Sequence, residues 1–486
     1  MFRSRKEFLI PVCLASVLAL AAHPVGAAVD LSQKVDANTL GLLVSNLGWA
    51  GYDPMTANPG LEYPRGSGKF VLFAGGIWLG AKVQGTTRVA LAEYASEFTP
   101  GPMAAGTFQS DRPDFRVFKL FGADTTGSGD WMATAVPQGA PTTAFGTRPA
   151  VLGSRTTWSV CNDANPAAHT LIGGHTASLG VEVRQTAWAS ADNALEDHVV
   201  FVKWQVRNAG AALLDSMFIG LWADPDLGAG SDDLIGTDPA LEMAYVYNAT
   251  NNDFVYGANP PALAYALLQG PSLAPHPYAL NTYIGGDDAQ NAEESYRFLL
   301  GLKRNGAAWV DPGNSQPTRS AYTGDPVTGT GWLQSNPTDQ RFLISCGPFP
   351  LAPGDSQEVV MAIVVAQGAN RLQSITLLRS YVTSLRALVD VPPPPPAVAA
   401  RVSLAPLVSP TMGMVRAQLT APLGEAWRLD VFDVRGRRAA LVARGIGTGE
   451  AESATWDAAG AAPGVYWMVA SSGTARASRR VVLVSR

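Results

Sequence analysis

Cysteine is scarce: the 486 residues contain three, of which Cys13 sits in the N-terminal leader and two, Cys161 and Cys346, lie beyond it. That excludes a disulfide-dense scaffold and any Cys-x-x-Cys metal or redox centre. Spacing alone leaves open whether the two pair or pack as small apolar side chains, because geometry decides it. Charge is sparse too, at 15% of residues against 47% apolar, which excludes a wholly disordered chain. The 49 Gly and 35 Pro follow no three-residue period, so collagen is excluded. No apolar run reaches the roughly 20 residues that span a bilayer, so no transmembrane segment is expected. Gly-x-Ser-x-Gly, His-Glu-x-x-His and a phosphate loop are all missing. Gly68-Lys69 has Tyr63 where that loop needs Gly and Phe70 where it needs Ser or Thr.

The length predicts two or three domains. Residues 1–27 read as a secretory signal peptide: Arg3, Arg5 and Lys6, an apolar run from Phe8 to Ala22, then Val25 and Ala27 at the cleavage positions. Residues 28–175 read as an N-terminal β-rich region and 176–390 as a β-sandwich with an acidic loop and a terminal helix. Strand signals recur at 69–83, 89–98, 181–190, 198–208, 216–224 and 356–368. In the fourth, Val200, Val202, Trp204 and Val206 alternate with Phe201, Lys203, Gln205 and Arg207, the period of an antiparallel strand with one buried face. The fold class is therefore all-β, with multiple sandwich domains. One segment departs from it: Leu372, Ile375, Leu378, Val382, Leu385 and Leu388 have helical spacing, with Asn370 or Ser374 as N-cap. Pro392–Pro396 then makes 391–396 a stiff polyproline linker.

Residues 397–486 have the length and strand spacing of a small immunoglobulin-like sandwich. Within them come Leu429-Asp430-Val431-Phe432-Asp433-Val434-Arg435-Gly436-Arg437, then Trp456-Asp457, Gly464-Val465-Tyr466 and a basic, Val/Leu-rich terminal strand. This order resembles the C-terminal sorting domains of cargo of the bacterial type IX secretion system. It is also similar to the immunoglobulin-like domain of flagellar hook-capping proteins. The resemblance covers about 80 residues and implies a sorting or anchoring role, with secretion machinery or cell envelope as partner. It also implies a location that is secreted or on the outer surface of a Gram-negative-type bacterium. The body resembles uncharacterised exported bacterial proteins that carry such domains, through residues 63–83, the Asp-Pro-Asp-Leu-Gly run at 224–228 and residues 341–368. That group brings no activity with it.

The charge map is uneven. Residues 208–296 contain no Lys or Arg, yet carry 12 acidic residues. Five of these, Asp224, Asp226, Asp232, Asp233 and Asp238, fall in one Gly-rich stretch after a strand. Two like charges about 4 Å apart repel by about 4 kcal/mol at an effective dielectric of 20, so such a cluster calls for a cation. Oxygen ligands without Cys or His point to Ca²⁺ rather than a transition metal. The EF-hand pattern fails, with Gly228 and Ile235 where acids belong. The competing reading is a solvated loop whose Asp side chains cap turns.

His169 and His175, near Asp163, read as packing and hydrogen-bonding residues. The acidic body disfavours nucleic acid. No catalytic residue is assigned. The chain is expected to be a non-catalytic structural or binding protein. The alternative is a secreted polysaccharide hydrolase, whose two carboxylates leave no short motif. Wholly interior tryptophans would favour the first, and exposed aromatics around a carboxylate-lined cleft the second.

Overall fold

A computed structural model describes residues 31–109, 112–122, 127–143, 146–388, 402–406, 413–421, 425–447, 451–473 and 475–484. The signal peptide and the proline run at 391–396 lie outside these residues.

The principal elements of the body are β1 (Ala74–Val83), β2 (Thr86–Leu91), β3 (Phe118–Phe121), β4 (Arg155–Asn162), β5 (Val181–Ala189), β6 (Val199–Asn208), β7 (Leu214–Asp224), β8 (Asp233–Asp238), β9 (Met243–Asn248), β10 (Ala262–Gln269), β11 (Ala279–Ile284), α1 (Ala292–Leu299), β12 (Gln340–Leu351), β13 (Ser356–Ala366) and α2 (Arg371–Leu388). They form two large antiparallel sheets. One runs β11-β12-β7-β1-β2; the other runs β3-β4-β5-β6-β13-β10-β9-β8, with Thr99–Pro100 added beside β4. A continuous apolar core draws on both, from Val35 to Val365. Residues on both sides of position 175 share it.

The alternation in β6 holds: Val200, Val202, Trp204 and Val206 are buried, while Phe201, Lys203, Gln205 and Arg207 are half-covered. Phe201 lies flat on Trp188 of β5, ring centroids 5.2 Å apart, which shields part of the face expected to be wet. The run at 89–98 is only partly a strand. It turns after Leu91, closed by a bridge between Ala92 and Ser96, and so projects Tyr94.

The helical periodicity becomes α2, started by Asn370, whose side chain accepts from Leu372 N at 3.0 Å and Gln373 N at 2.9 Å. That satisfies two of the N–H groups a helix start leaves unpaired. Ile375, Leu378, Val382 and Leu385 pack on β9, β10 and β13. Arg386 fastens the far end, with Nη1 3.2 Å from Glu242 Oε2 and 2.7 Å from the Leu267 carbonyl. Among the described residues no helix is long and apolar enough to cross a membrane. Cys161 on β4 and Cys346 on β12 are separate, buried free thiols.

The C-terminal unit has a core of its own. A three-stranded sheet, β14 (Ser403–Pro406), β15 (Met414–Thr420) and β18 (Ala451–Asp457), accompanies a four-stranded one in the order β17 (Arg438–Ile446), β16 (Ala426–Asp433), β19 (Gly464–Ser472), β20 (Ala475–Leu483). Seven antiparallel strands in two sheets suit an immunoglobulin-like sandwich. The β16–β17 turn is built as its sequence suggests. Gly436 adopts φ 73°, and Asp433 accepts from Arg435 N at 2.9 Å and Arg437 N at 3.0 Å. Trp456 meets Tyr466 edge-on at 5.3 Å between the sheets.

Candidate metal centre

β7 ends at Asp224 and β12 begins at Gln340. Their antiparallel register, with Ala223 opposite Phe342, brings the start of the acidic loop against the Asp339–Arg341 segment. Carboxylate oxygens of Asp224, Asp226 and Asp339 all lie within 4.8 Å of one another. Arg341 enters this group, with Nη1 2.6 Å from Asp224 Oδ1 and Nη2 3.2 Å from Asp339 Oδ2. The contact to Asp224 is an ion pair without the alignment of a hydrogen bond. Tyr94 closes the side: its hydroxyl donates to Asp224 Oδ2 at 2.9 Å and accepts from Arg341 Nε at 2.8 Å.

Three carboxylates around one guanidinium leave a formal deficit of two positive charges. Burial pushes Asp224 well above the ordinary carboxylate range, with Asp226 and Asp339 adding to it and Arg341 opposing. Asp226 is held up to about 6, first by burial and then by Asp339. Nearby Glu93 is raised to about 8 by burial, Asp288 and Glu97. Desolvation penalises the charged form, and like charges reinforce it.

The loop between β7 and β8 is shaped to hold these groups. A Cβ on Gly230 would stand 2.1 Å from Asp226 Oδ1, and one on Gly228, at φ +72°, 2.4 Å from Asp253 Oδ1. Asp253 Oδ2 accepts from Ala229 N at 3.1 Å and Asp233 Oδ2 from Leu227 N at 3.0 Å. The remaining oxygens, Oδ1 of Asp233 and of Asp232, are buried without a hydrogen-bond partner, and Asp233 is fully buried. Burial lifts Asp233 well above its ordinary range, and its like-charged neighbours Asp232, Asp226 and Asp253 lift it further.

The five aspartates expected to act together are therefore divided. Asp224 and Asp226 converge, and Asp339, 115 residues along, joins them. Asp232 and Asp233 form a neighbouring group with Asp253, coupled to the first through Asp226. Asp238 does not belong to either. It lies at the far end of β8, roughly 17 Å from Asp233 at about 3.3 Å per residue, and is paired with Arg379 Nε at 3.3 Å. Sequence reasoning missed Asp339, Arg341 and Tyr94. The first two adjoin the run that begins at Arg341, which the sequence marks only through a resemblance and which pairs with the strand at 216–224 in the fold.

Of the two histidines expected to pack, only His169 does; His175 is exposed at φ 58°, with its backbone N–H donating to Glu97 Oε1 at 2.8 Å. His169 is buried and its Nε2 donates to the Asp163 carbonyl at 2.7 Å. The Asp163 carboxylate is taken up by Ser178 Oγ and the backbone N–H groups of Leu179, Gly180 and Val181.

No protein-family model matches the chain, and no curated protein matches it. Among solved structures it is similar to a polysaccharide lyase, at 9% identity and a TM-score of 0.19 over 63% of this chain and 34% of that one. It is also similar to the dimeric latent PorU of Porphyromonas gingivalis, at 11% identity and a TM-score of 0.18 over 69% of this chain and 32% of that one. The chain thus spans about a third of either structure, and at these scores neither likeness bears on its fold or activity.

Proposed function

We propose that this chain is a secreted or cell-surface, non-catalytic binding protein. Its acidic loop is completed by a structural Ca²⁺, and residues 397–486 serve as a sorting or anchoring module. The observation that carries the metal is the convergence of Asp224, Asp226 and Asp339 on one another, with a single guanidinium paired to the first and the last. The two uncompensated charges match a divalent cation, and three carboxylates with water can furnish the six to eight oxygens Ca²⁺ takes. An irregular Gly-rich loop suits its flexible coordination better than the strict octahedron of Mg²⁺.

The tryptophans divide between the two readings: in the body Trp49, Trp78, Trp131, Trp158, Trp204 and Trp222 are buried, as a structural or binding role favours, while Trp188, Trp309 and Trp332 are half-buried. One observation favours the hydrolase reading: burial, Asp288 and Glu97 raise Glu93 to about 8, the direction a general acid needs. If that reading holds, Glu93→Gln abolishes polysaccharide hydrolysis at unchanged stability.

The address role rests on the motif order of the C-terminal unit and its separate core. Expressing the chain without residues 397–486 tests it. Accumulation of the truncated protein inside the cell is expected, and normal display at the surface overturns it.

A further inference from the structure

The four-stranded sheet of the C-terminal unit turns one face to its core and the other to solvent, and register fixes what stands on the outer face. Arg438 pairs with Phe432, Phe432 with Trp467 and Trp467 with Arg480, so one row crosses all four strands as Arg-Phe-Trp-Arg. Four residues along β16 a second row reads Arg444, Arg428, Ser471, Arg476. With strands about 4.8 Å apart and a rise of about 3.4 Å per residue, each row is about 14 Å wide and the two lie about 14 Å apart.

Among the described residues five guanidiniums thus share a face with one carboxylate, Asp430, which is taken by Arg428 at 2.6 and 2.9 Å and approached by Arg438 at 3.8 Å. Arg428 and Arg444 stand directly opposite each other, an arrangement that costs stability in a sheet. Trp467 is 38% exposed, whereas Trp427 and Trp456 of the same unit are buried at 7% and 6%. Neither the like-charge pair nor the uncovered indole contributes to the core. Each is instead suited to a ligand: a guanidinium fork matches carboxylates, and a flat aromatic surface with a polar edge suits a partner that is apolar on one face and wet on its rim.

We propose that this face binds an anionic polysaccharide, a chain of uronate-bearing sugars. Its rings would stack on Trp467 beside Phe432, and its carboxylates would reach the arginines of the two rows. A polymer with repeated charges fits two parallel basic rows better than a single small anion does.

Isothermal titration of residues 28–486 with polygalacturonate at low ionic strength tests this, with dextran as the neutral control and polyglutamate and anionic lipid vesicles as the other polyanions. Expected are binding of polygalacturonate but not dextran, a loss of at least tenfold in affinity for Arg444→Glu/Arg480→Glu, and a severalfold loss for Trp467→Ala. Both arginines are exposed on edge strands, and Arg476→Gln provides a milder variant if the double substitution fails to fold. The proposal is overturned if polygalacturonate does not bind, or if the arginine variants bind it unchanged. It is equally overturned if polyglutamate or vesicles bind as tightly as polygalacturonate and Trp467→Ala changes nothing.

Discussion

Arg341 stands 2.6 Å from Asp224, its cross-strand neighbour at the end of the β7–β12 ladder, and both are almost fully buried. Neither is tolerable there without the other. Breaking a buried pair by removing one partner costs about 3–5 kcal/mol, because the survivor is left as an unpaired buried charge. Arg341→Gln is therefore expected to lower stability by that amount in denaturant titration. Arg341→Gln/Asp224→Asn, which removes both charges, is expected to recover more than half of it.

Asp226 should make stability depend on pH. Its folded value of about 6 lies above its ordinary one, so the folded state holds the proton more tightly. The stability this group contributes is complete below about pH 4 and is lost as pH rises through about 6. Two units correspond to about 3 kcal/mol, or about 2 after allowing for partial exposure. In EDTA, Asp226→Asn is expected to be more stable than the parent at pH 7.5 and equal to it at pH 4. Thermal unfolding of both at the two pH values checks this.

Gly230→Ala forces a Cβ into the Asp226 carboxylate. Expected are a loss of about 1–3 kcal/mol from overpacking and a Ca²⁺ response reduced at least tenfold in midpoint. A melting series over Ca²⁺ concentration reads both.

Asn370 starts α2 with two side-chain hydrogen bonds. Asn370→Ala should cost about 1 kcal/mol, while Asn370→Ser should cost little. Equilibrium unfolding of the two variants distinguishes loss of the cap from a general surface effect.

What could be read from the sequence follows from the range of each interaction. The alternation in β6, the period of α2 and the Asp433–Gly436 turn are local, and each appears where its residues place it. The acidic stretch was legible as a charge excess, but its compensation was not. The cations that answer it come from far along the chain: Arg341 to Asp224, Arg379 to Asp238 and Arg386 to Glu242. Adjacency in sequence also grouped Asp238 with Asp233, although a strand separates them. Asp339 and Tyr94 reach the centre only through strand register and the turn after β2, neither of which composition encodes.

Calcium titration calorimetry on residues 28–486 at pH 7.5, on parent and Asp226→Asn, measures the central claim directly. One Ca²⁺ per chain is expected for the parent and none for the variant, with saturating Ca²⁺ at about 100 times Kd adding about 2.7 kcal/mol to the parent's stability. No binding heat, together with a melting curve that is the same in Ca²⁺ and in EDTA, contradicts it.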